Sequence, residues 1–290
     1  MNFVEGEILY IDKPLRWTSF DVVNKVRWLL CRRLGTKKLK VGHAGTLDPL
    51  ATGVMIVCTG RATKRIDELQ AGVKEYVATL RLGATTPSFD LEHPIDAYYP
   101  TEHITRELVE STLKQFLGRI EQVPPAYSAV KVDGKRAYDL ARKDKGVELK
   151  PKVLVIDEIE LQECNLIPAG EPPHGSGNEV SLPRTGMRNK AFLTATVPDA
   201  PASGYPSITI RVVCSKGTYI RALARDIGQA LGSGAHLTAL RRTRVGDISV
   251  DDCLTMDAFP EWLEGQELEI EDSSDSLTLI EAAEPSGKMK

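Results

Sequence analysis

The chain has 290 residues, with 37 Lys and Arg against 40 Asp and Glu, and a formal net charge of −3. A chain of this length can bury a substantial core as one large domain or two smaller ones. No apolar run approaches the roughly 18 residues of a membrane span, and the first residues lack the pattern of a secretion signal, so we expect a cytoplasmic protein without membrane spans.

The spacing of apolar residues predicts strands and helices without a strict βαβ alternation, which favours an α+β fold. Ser19 is expected to cap the first of the long helices, and Thr218 the last. The predicted elements are, in chain order, a strand over 7–12, a helix over 20–34, a strand over 54–58, a helix near 62–70, a strand over 74–83, a helix over 105–118, strands over 152–162 and 207–214, and a helix over 219–231.

Two segments differ in composition from the rest of the chain. Residues 163–206 are rich in proline and glycine, which predicts a loop-like insertion. Residues 259–290 form a short acidic tail, Ser-rich towards its end. We therefore predict one folded domain over 1–258, followed by this tail.

The charge distribution indicates the kind of partner, and the spacing of the cysteines indicates their redox state. Residues 247–290 hold 13 acidic and 2 basic side chains, which leaves a net charge of +8 on residues 1–246 and suits a polyanionic partner. Five scattered cysteines without a C-x-x-C pair favour reduced thiols over disulfides or structural zinc: Cys31, Cys58, Cys164, Cys214 and Cys253.

The most informative stretch is Gly42-His43-Ala44-Gly45-Thr46-Leu47-Asp48-Pro49-Leu50-Ala51-Thr52-Gly53. Its glycines and proline predict a shaped loop that leads into a buried strand, with Asp48 at the entrance. A carboxylate in that place can do chemistry. The alternative is that Asp48 only caps the turn that begins at Pro49.

This stretch resembles the active-site signature of the bacterial tRNA pseudouridine-55 synthases. Four further blocks resemble that family in the same order along residues 8–258: Asp12-Lys13-Pro14, Lys74-Glu75-Tyr76 with Arg81-Leu82-Gly83, Pro124 to Lys131, and Cys214 to Arg221. The resemblance implies the pseudouridine synthase fold, with a mixed, mainly antiparallel central sheet flanked by helices. It makes residues 1–258 the catalytic domain, and residues 259–290 show no clear additional RNA-binding domain. It also implies isomerisation of a uridine in the T loop of tRNA, without metal or organic cofactor, after the base is flipped into the pocket.

The resemblance assigns catalytic roles to Asp48, Tyr76 and Arg221. Asp48 can attack C1′ or remove a proton from the ribose, and the sequence leaves both routes open. We expect Arg221 to keep the carboxylate ionised through two parallel hydrogen bonds, although a phosphate-binding or surface arginine is the alternative. Tyr76 is expected to stack on the base, unless it is only a packing residue.

The remaining candidates are expected to bind RNA or substrate. By resemblance, His43 fills the gap that the extruded uridine leaves, and Lys13 and Leu240 line or support the pocket, although Leu240 could equally be a core leucine. Lys216 belongs to the fifth block. No second histidine is near His43 in the sequence, so we expect no metal site. The partner is expected to be the tRNA T stem-loop, bound by a monomer without an obligate protein partner.

Three other functions compete with this interpretation. One is a pseudouridine synthase for ribosomal or other RNA, and another is an RNA chaperone that folds tRNA by binding. The third is a base-excising glycosylase, which would also use a carboxylate and base flipping but would release free uracil.

Overall fold

The computed structural model describes residues 1–128, 130–132, 134–137, 140, 149–166 and 205–269. Most of the predicted insertion at 163–206, and the acidic tail from residue 270 on, lie outside these described residues. The sheet prediction is confirmed, because ten strands pair in one mixed, mostly antiparallel sheet flanked by helices.

The strands of this sheet run in the order β14-β1-β3-β12-β4-β11-β10-β7, with β2 beside β3 and β13 beside β12. Only the pairs β1–β14 and β3–β12 are parallel within it. Its strands are β1 (Ile8–Lys13), β2 (Val41–Ala44), β3 (Ala51–Thr59), β4 (Lys74–Leu82), β7 (Gly118–Gln122), β10 (Lys152–Asn165), β11 (Ser207–Cys214), β12 (Ala235–Val245), β13 (Ile248–Ser249) and β14 (Leu254–Thr255). Two small ladders pair β5 (Ala84–Thr85) with β6 (Ala97–Tyr98), and β8 (Lys131–Val132) with β9 (Lys135–Arg136).

Helices cover both halves of the sheet. They are α1 (Ser19–Leu34), α2 (Ile66–Ala71), α3 (Arg106–Lys114), α4 (Ile220–Ala230) and α5 (Phe259–Glu264), with 3₁₀ turns at Gly60–Arg65 and Val250–Asp252. One apolar core joins α3 and α4 to β4 and β11, and a second joins α1 and α5 to β1 and β3. The candidate site lies between these two cores, where β3 pairs with β12 in the middle of the sheet.

Both predicted helix caps are wrong. Thr18 caps α1 through a capping box with Asp21, because its side chain is free to accept from the Asp21 amide. The Ser19 hydroxyl instead binds the backbone of Leu47. At α4 the capping position is Tyr219, and the Thr218 hydroxyl donates to the Ser215 carbonyl.

The sequence prediction also missed β12, which lies in the middle of the sheet between β3 and β4. Its segment does not alternate strictly between apolar and polar residues and ends in several basic residues, so the pattern of a strand is not evident there. The strand β10 continues to Asn165, three residues into the predicted insertion. The helix α5 packs Phe259 and Leu263 into the second core, so the first residues of the predicted tail belong to the folded body.

Candidate active site

Asp48 lies in a short loop between β2 and β3. The backbone carbonyl of Asp48 closes the turn, because it accepts a hydrogen bond from the Ala51 amide, 3.1 Å away. The Asp48 carboxylate points to Arg221. Gly45 has φ of +97° and Gly53 has φ of +104°, and a Cβ at Gly53 would overlap the backbone of Arg242. The glycines therefore allow β12 to pack directly against the loop strand.

Arg221, the second residue of α4, reaches the loop from the other side. Its side chain is only 5% exposed, and its Nε lies 2.9 Å from Asp48 Oδ2. The expected pair of parallel hydrogen bonds is not present, because the other two nitrogens have different partners: Nη1 binds the Ser88 carbonyl at 3.2 Å and Nη2 binds the Tyr127 carbonyl at 2.9 Å. The guanidinium is thus fixed by backbone and touches Asp48 through one nitrogen.

Asp90 is a site residue that sequence reasoning missed. It is 4% exposed, and its Oδ2 lies 3.6 Å from Arg221 Nη1. Its other oxygen accepts from the Ser88 hydroxyl at 2.5 Å and from the Glu92 amide at 3.0 Å. Phe89, which lies between Ser88 and Asp90 in the chain, has φ of +61°, an uncommon value for a residue with a side chain. The signal in the sequence was a short polar turn after β4, which is common in loops.

These groups border an open cleft. Asp48, Asp90 and Arg221 form its ionic part, and the rest of its lining is mostly apolar, with Leu50, Leu91, Leu237 and Leu240. The arrangement places a carboxylate beside an apolar wall.

Opposing effects act on the pKa of the Asp48 carboxyl group. About a third of its side chain is exposed towards the cleft, and the surrounding protein raises the pKa of Asp48 above its ordinary value of 3.8. The Arg221 charge opposes this rise, whereas the Asp90 charge adds to it. A carboxylate of this kind binds protons more readily than an exposed one but still has a cation at 2.9 Å.

Tyr76 lies on β4 with 8% of its surface exposed, and it packs in the first core together with Leu47. Burial raises the pKa of its hydroxyl, and the positive charge of the nearby Arg242 opposes this rise. Arg242 is 1% exposed and donates to the carbonyls of Val54 at 2.8 Å and Gly45 at 3.3 Å. This arginine is therefore part of the interior beneath the loop.

Three further residues that were expected to bind RNA or substrate, Leu240, His43 and Lys216, differ in their solvent exposure. Leu240 is half-buried on β12 and lines the cleft. His43 is half-buried on β2, and burial lowers its pKa below 6.5, which favours the neutral ring at pH 7. Lys216 is exposed in the turn between β11 and α4.

Lys13 is completely buried at the end of β1. Its ammonium group donates to the carbonyls of Pro14 at 2.9 Å, Trp17 at 2.6 Å and Pro49 at 3.4 Å. Burial lowers the pKa of Lys13 to about 8. In this arrangement its charge is directed to backbone carbonyls, two in the segment between β1 and α1 and one, at the longest distance, in the Asp48 loop.

Within the described residues, no group of three or more His, Cys, Asp or Glu side chains is placed to hold a metal ion. Within the same part of the chain, no helix combines the length and the apolar character needed to cross a membrane.

Comparison with known proteins gives consistent results over nearly the whole chain. A model described as the TruB family pseudouridylate synthase N-terminal domain matches residues 32–169, and one described as the tRNA pseudouridylate synthase B C-terminal domain matches residues 221–278. The protein named tRNA pseudouridine synthase B of Phocaeicola vulgatus is 64% identical over 269 residues, 93% of this chain and 98% of that protein. The protein of the same name from Deinococcus radiodurans is 39% identical, over 88% of this chain and 78% of that protein.

Among solved structures, a chain from a Cbf5-Nop10-Gar1 complex matches with a TM-score of 0.59 and 26% identity. The match covers 92% of this chain but only 58% of that chain. A structure of an H/ACA RNP bound to a substrate RNA containing 2′-deoxyuridine shares the fold, with a TM-score of 0.56 at 23% identity, over 91% of this chain and 57% of that chain.

Proposed function

The chain belongs to the TruB family of pseudouridylate synthases, and on this premise we propose that it converts a uridine in the T loop of tRNA to pseudouridine, with Asp48 as the catalytic carboxylate. The observation that carries the proposal is the ion pair of Asp48 with Arg221, 2.9 Å long, in a cleft whose remaining lining is mostly apolar.

The reaction needs few chemical groups. The C1′–N1 glycosidic bond breaks, the uracil turns, a C1′–C5 bond forms, and the proton on C5 is replaced by one on N1, so the composition of the RNA is unchanged. Asp48 either attacks C1′ or removes a proton from the ribose, and both roles require the ionised form. Arg221 supports that form because its fixed positive charge opposes the effect of burial on the Asp48 pKa.

The cleft would hold the flipped base between its apolar wall and the Asp48 loop. Leu240 on β12 offers an aliphatic surface to one face of the ring, while Tyr76 supports the floor from β4. Tyr76 would act through its ring, which is buried in the core beneath the loop. With the substrate bound, the cleft would shield the detached base from bulk water.

The rim would bind the RNA around the flipped nucleotide. A neutral His43 ring can stack where the uridine has left the loop, and exposed Lys216 can contact a phosphate. Lys13, buried against backbone, would support substrate only through the loop that it binds. We include in the proposal that the enzyme acts in the cytoplasm, as a monomer and without a metal or organic cofactor.

The test is incubation of the purified chain with an unmodified tRNA transcript in EDTA, followed by mapping of pseudouridine and assay of free uracil. We expect one pseudouridine in the T loop, no free uracil, and no product from a transcript with cytidine at that position. Free uracil would indicate a glycosylase, and binding without product would indicate a chaperone. Product in ribosomal RNA but not in tRNA would overturn the substrate assignment.

A further inference from the structure

The loop that carries Asp48 is held from beneath by three buried side chains from three different elements. The carbonyl of Gly45 accepts from Arg242 of β12, at 3.3 Å. The carbonyl of Leu47 accepts from the Ser19 hydroxyl of α1, at 3.0 Å. The carbonyl of Pro49 accepts from the Lys13 ammonium of β1, at 3.4 Å. Every second carbonyl on both sides of Asp48 is thus bound by a side chain, and we call Lys13, Ser19 and Arg242 the loop clamp.

Ser19 is the member of the loop clamp that binds the residue directly before Asp48. Its hydroxyl donates to the Leu47 carbonyl and accepts from the Leu47 amide at 2.9 Å, so both backbone groups of the preceding residue are fixed by one atom. Ser19 is 3% exposed and Leu47 is 4% exposed. Because both residues are shielded from solvent, water cannot readily replace these hydrogen bonds. Leaving such buried backbone groups unpaired destabilises the fold.

The hydroxyl of Ser19 has no role in the helix that carries it. The start of α1 is already capped by Thr18, whose side chain accepts from the Asp21 amide and whose own amide is bound by Asp21. An alanine is well tolerated in the first turn of a helix, so the hydroxyl is not needed for α1 to form. Its contacts all go to the Asp48 loop.

We propose that Ser19 is a positioning residue for the isomerisation: by binding both backbone groups of Leu47, it fixes the direction in which Asp48 enters the cleft. This proposal rests on the proposed role of Asp48. The reason is geometric, since Asp48 meets Arg221 through a single nitrogen and a small change in the loop would separate them. A displacement of about 1 Å at a reacting group can lower a rate about a hundredfold.

The experiment compares Ser19→Ala with the wild type under single-turnover conditions on unmodified tRNA. We expect the rate constant of the variant to fall by about tenfold to a hundredfold. The dissociation constant for tRNA should stay within about twofold, because RNA affinity comes from cationic and stacking groups that Ser19 does not touch. A purely structural role would lower the folded fraction and leave the rate of the folded enzyme unchanged.

Ser233→Ala is the matched control. Ser233 is also a buried serine, 6% exposed, and its hydroxyl donates to the Pro100 carbonyl at 2.8 Å, in the turn between α4 and β12. Its loss should lower the melting temperature but leave the single-turnover rate of the folded protein unchanged. Equal losses of rate in both variants would contradict a specific role for Ser19.

A second pair keeps the test decisive if the alanine variant does not fold. Threonine and valine have the same shape, so Ser19→Thr and Ser19→Val differ only in whether a hydroxyl is present at this site. We expect the threonine variant to turn over at least about tenfold faster than the valine variant. Equal rates for these two, or a wild-type rate in Ser19→Ala, would overturn the proposal while leaving the proposed function intact. A wild type that makes no pseudouridine would instead overturn both.

Discussion

Arg221 meets Asp48 through one nitrogen, Nε, at 2.9 Å from Oδ2, while backbone carbonyls hold the rest of its guanidinium. The partners of Nη1 and Nη2 are the carbonyls of Ser88 and Tyr127, from two different loops. The arginine therefore does two things at once: it places a positive charge beside the carboxylate, and it ties three loops around the cleft.

This finding predicts the result of Arg221→Lys. A lysine keeps the charge but has a single donor group, so it cannot bind Asp48 and both carbonyls in the same geometry. We expect the single-turnover rate to fall by about a hundredfold or more, with little change in tRNA affinity. The control is Arg225→Lys, one turn further along α4, where the arginine pairs with Asp226. A near-normal rate in Arg221→Lys would show that charge alone is sufficient.

A second prediction concerns the pH dependence of the reaction. The active form of Asp48 is ionised, so the single-turnover rate should fall as the pH falls through its pKa. Since burial raises that pKa above 3.8, the midpoint of this acid limb should lie above the ordinary value. Asp90→Asn should move the midpoint to lower pH, because it removes a charge that raises the Asp48 pKa and leaves Arg221 free for Asp48.

The exposed Asp67 of α2 provides the comparison for this shift. Asp67→Asn removes the same charge from the surface and should leave the midpoint where the wild type has it. Rates are measured only at pH values at which circular dichroism shows each protein to be folded. An unchanged midpoint in Asp90→Asn, or an equal shift in both variants, would contradict the electrostatic link between Asp90 and Asp48.

A third prediction concerns stability and Lys13. Burial lowers the pKa of this lysine from 10.5 to about 8, so between these values the unfolded chain keeps a proton that the folded chain has released. Stability therefore rises with pH in this window, by up to about 3 kcal/mol for a shift of this size. Urea unfolding of the wild type and Lys13→Met across this window should show the wild type gaining stability relative to the variant as the pH rises. Parallel curves would mean that Lys13 has an ordinary pKa in the folded chain.

Several features of the fold and site could be predicted from the sequence because local patterns determine them. The strand at 207–214 is rich in β-branched residues, and its predicted bounds are those of β11. The glycine-rich loop around Asp48 was found because glycine and proline mark turns and because it resembles a known signature. The family and the α+β sheet are likewise confirmed.

Other features depend on contacts that no local pattern contains. The Arg242 guanidinium of β12 is bound by the carbonyls of Gly45 in the Asp48 loop and Val54 in β3, which lie 197 and 188 residues away in sequence. Ser19 and Thr18 are both suitable helix caps by type, and the contact of Ser19 with the distant Leu47 is not visible in the local sequence. Lys13 was expected to bind RNA or substrate, and it is instead buried against two carbonyls close by in the chain, those of Pro14 and Trp17, and one distant carbonyl, that of Pro49.

The central claim, that Asp48 performs the chemistry, is tested most directly by Asp48→Asn in single-turnover reactions with unmodified tRNA. The amide keeps the size of the side chain but can neither attack C1′ nor take up a proton as a carboxylate does. We predict no detectable pseudouridine from this variant, with tRNA binding at wild-type strength or slightly stronger because one negative charge is lost. Formation of pseudouridine at a rate near that of the wild type would contradict the account.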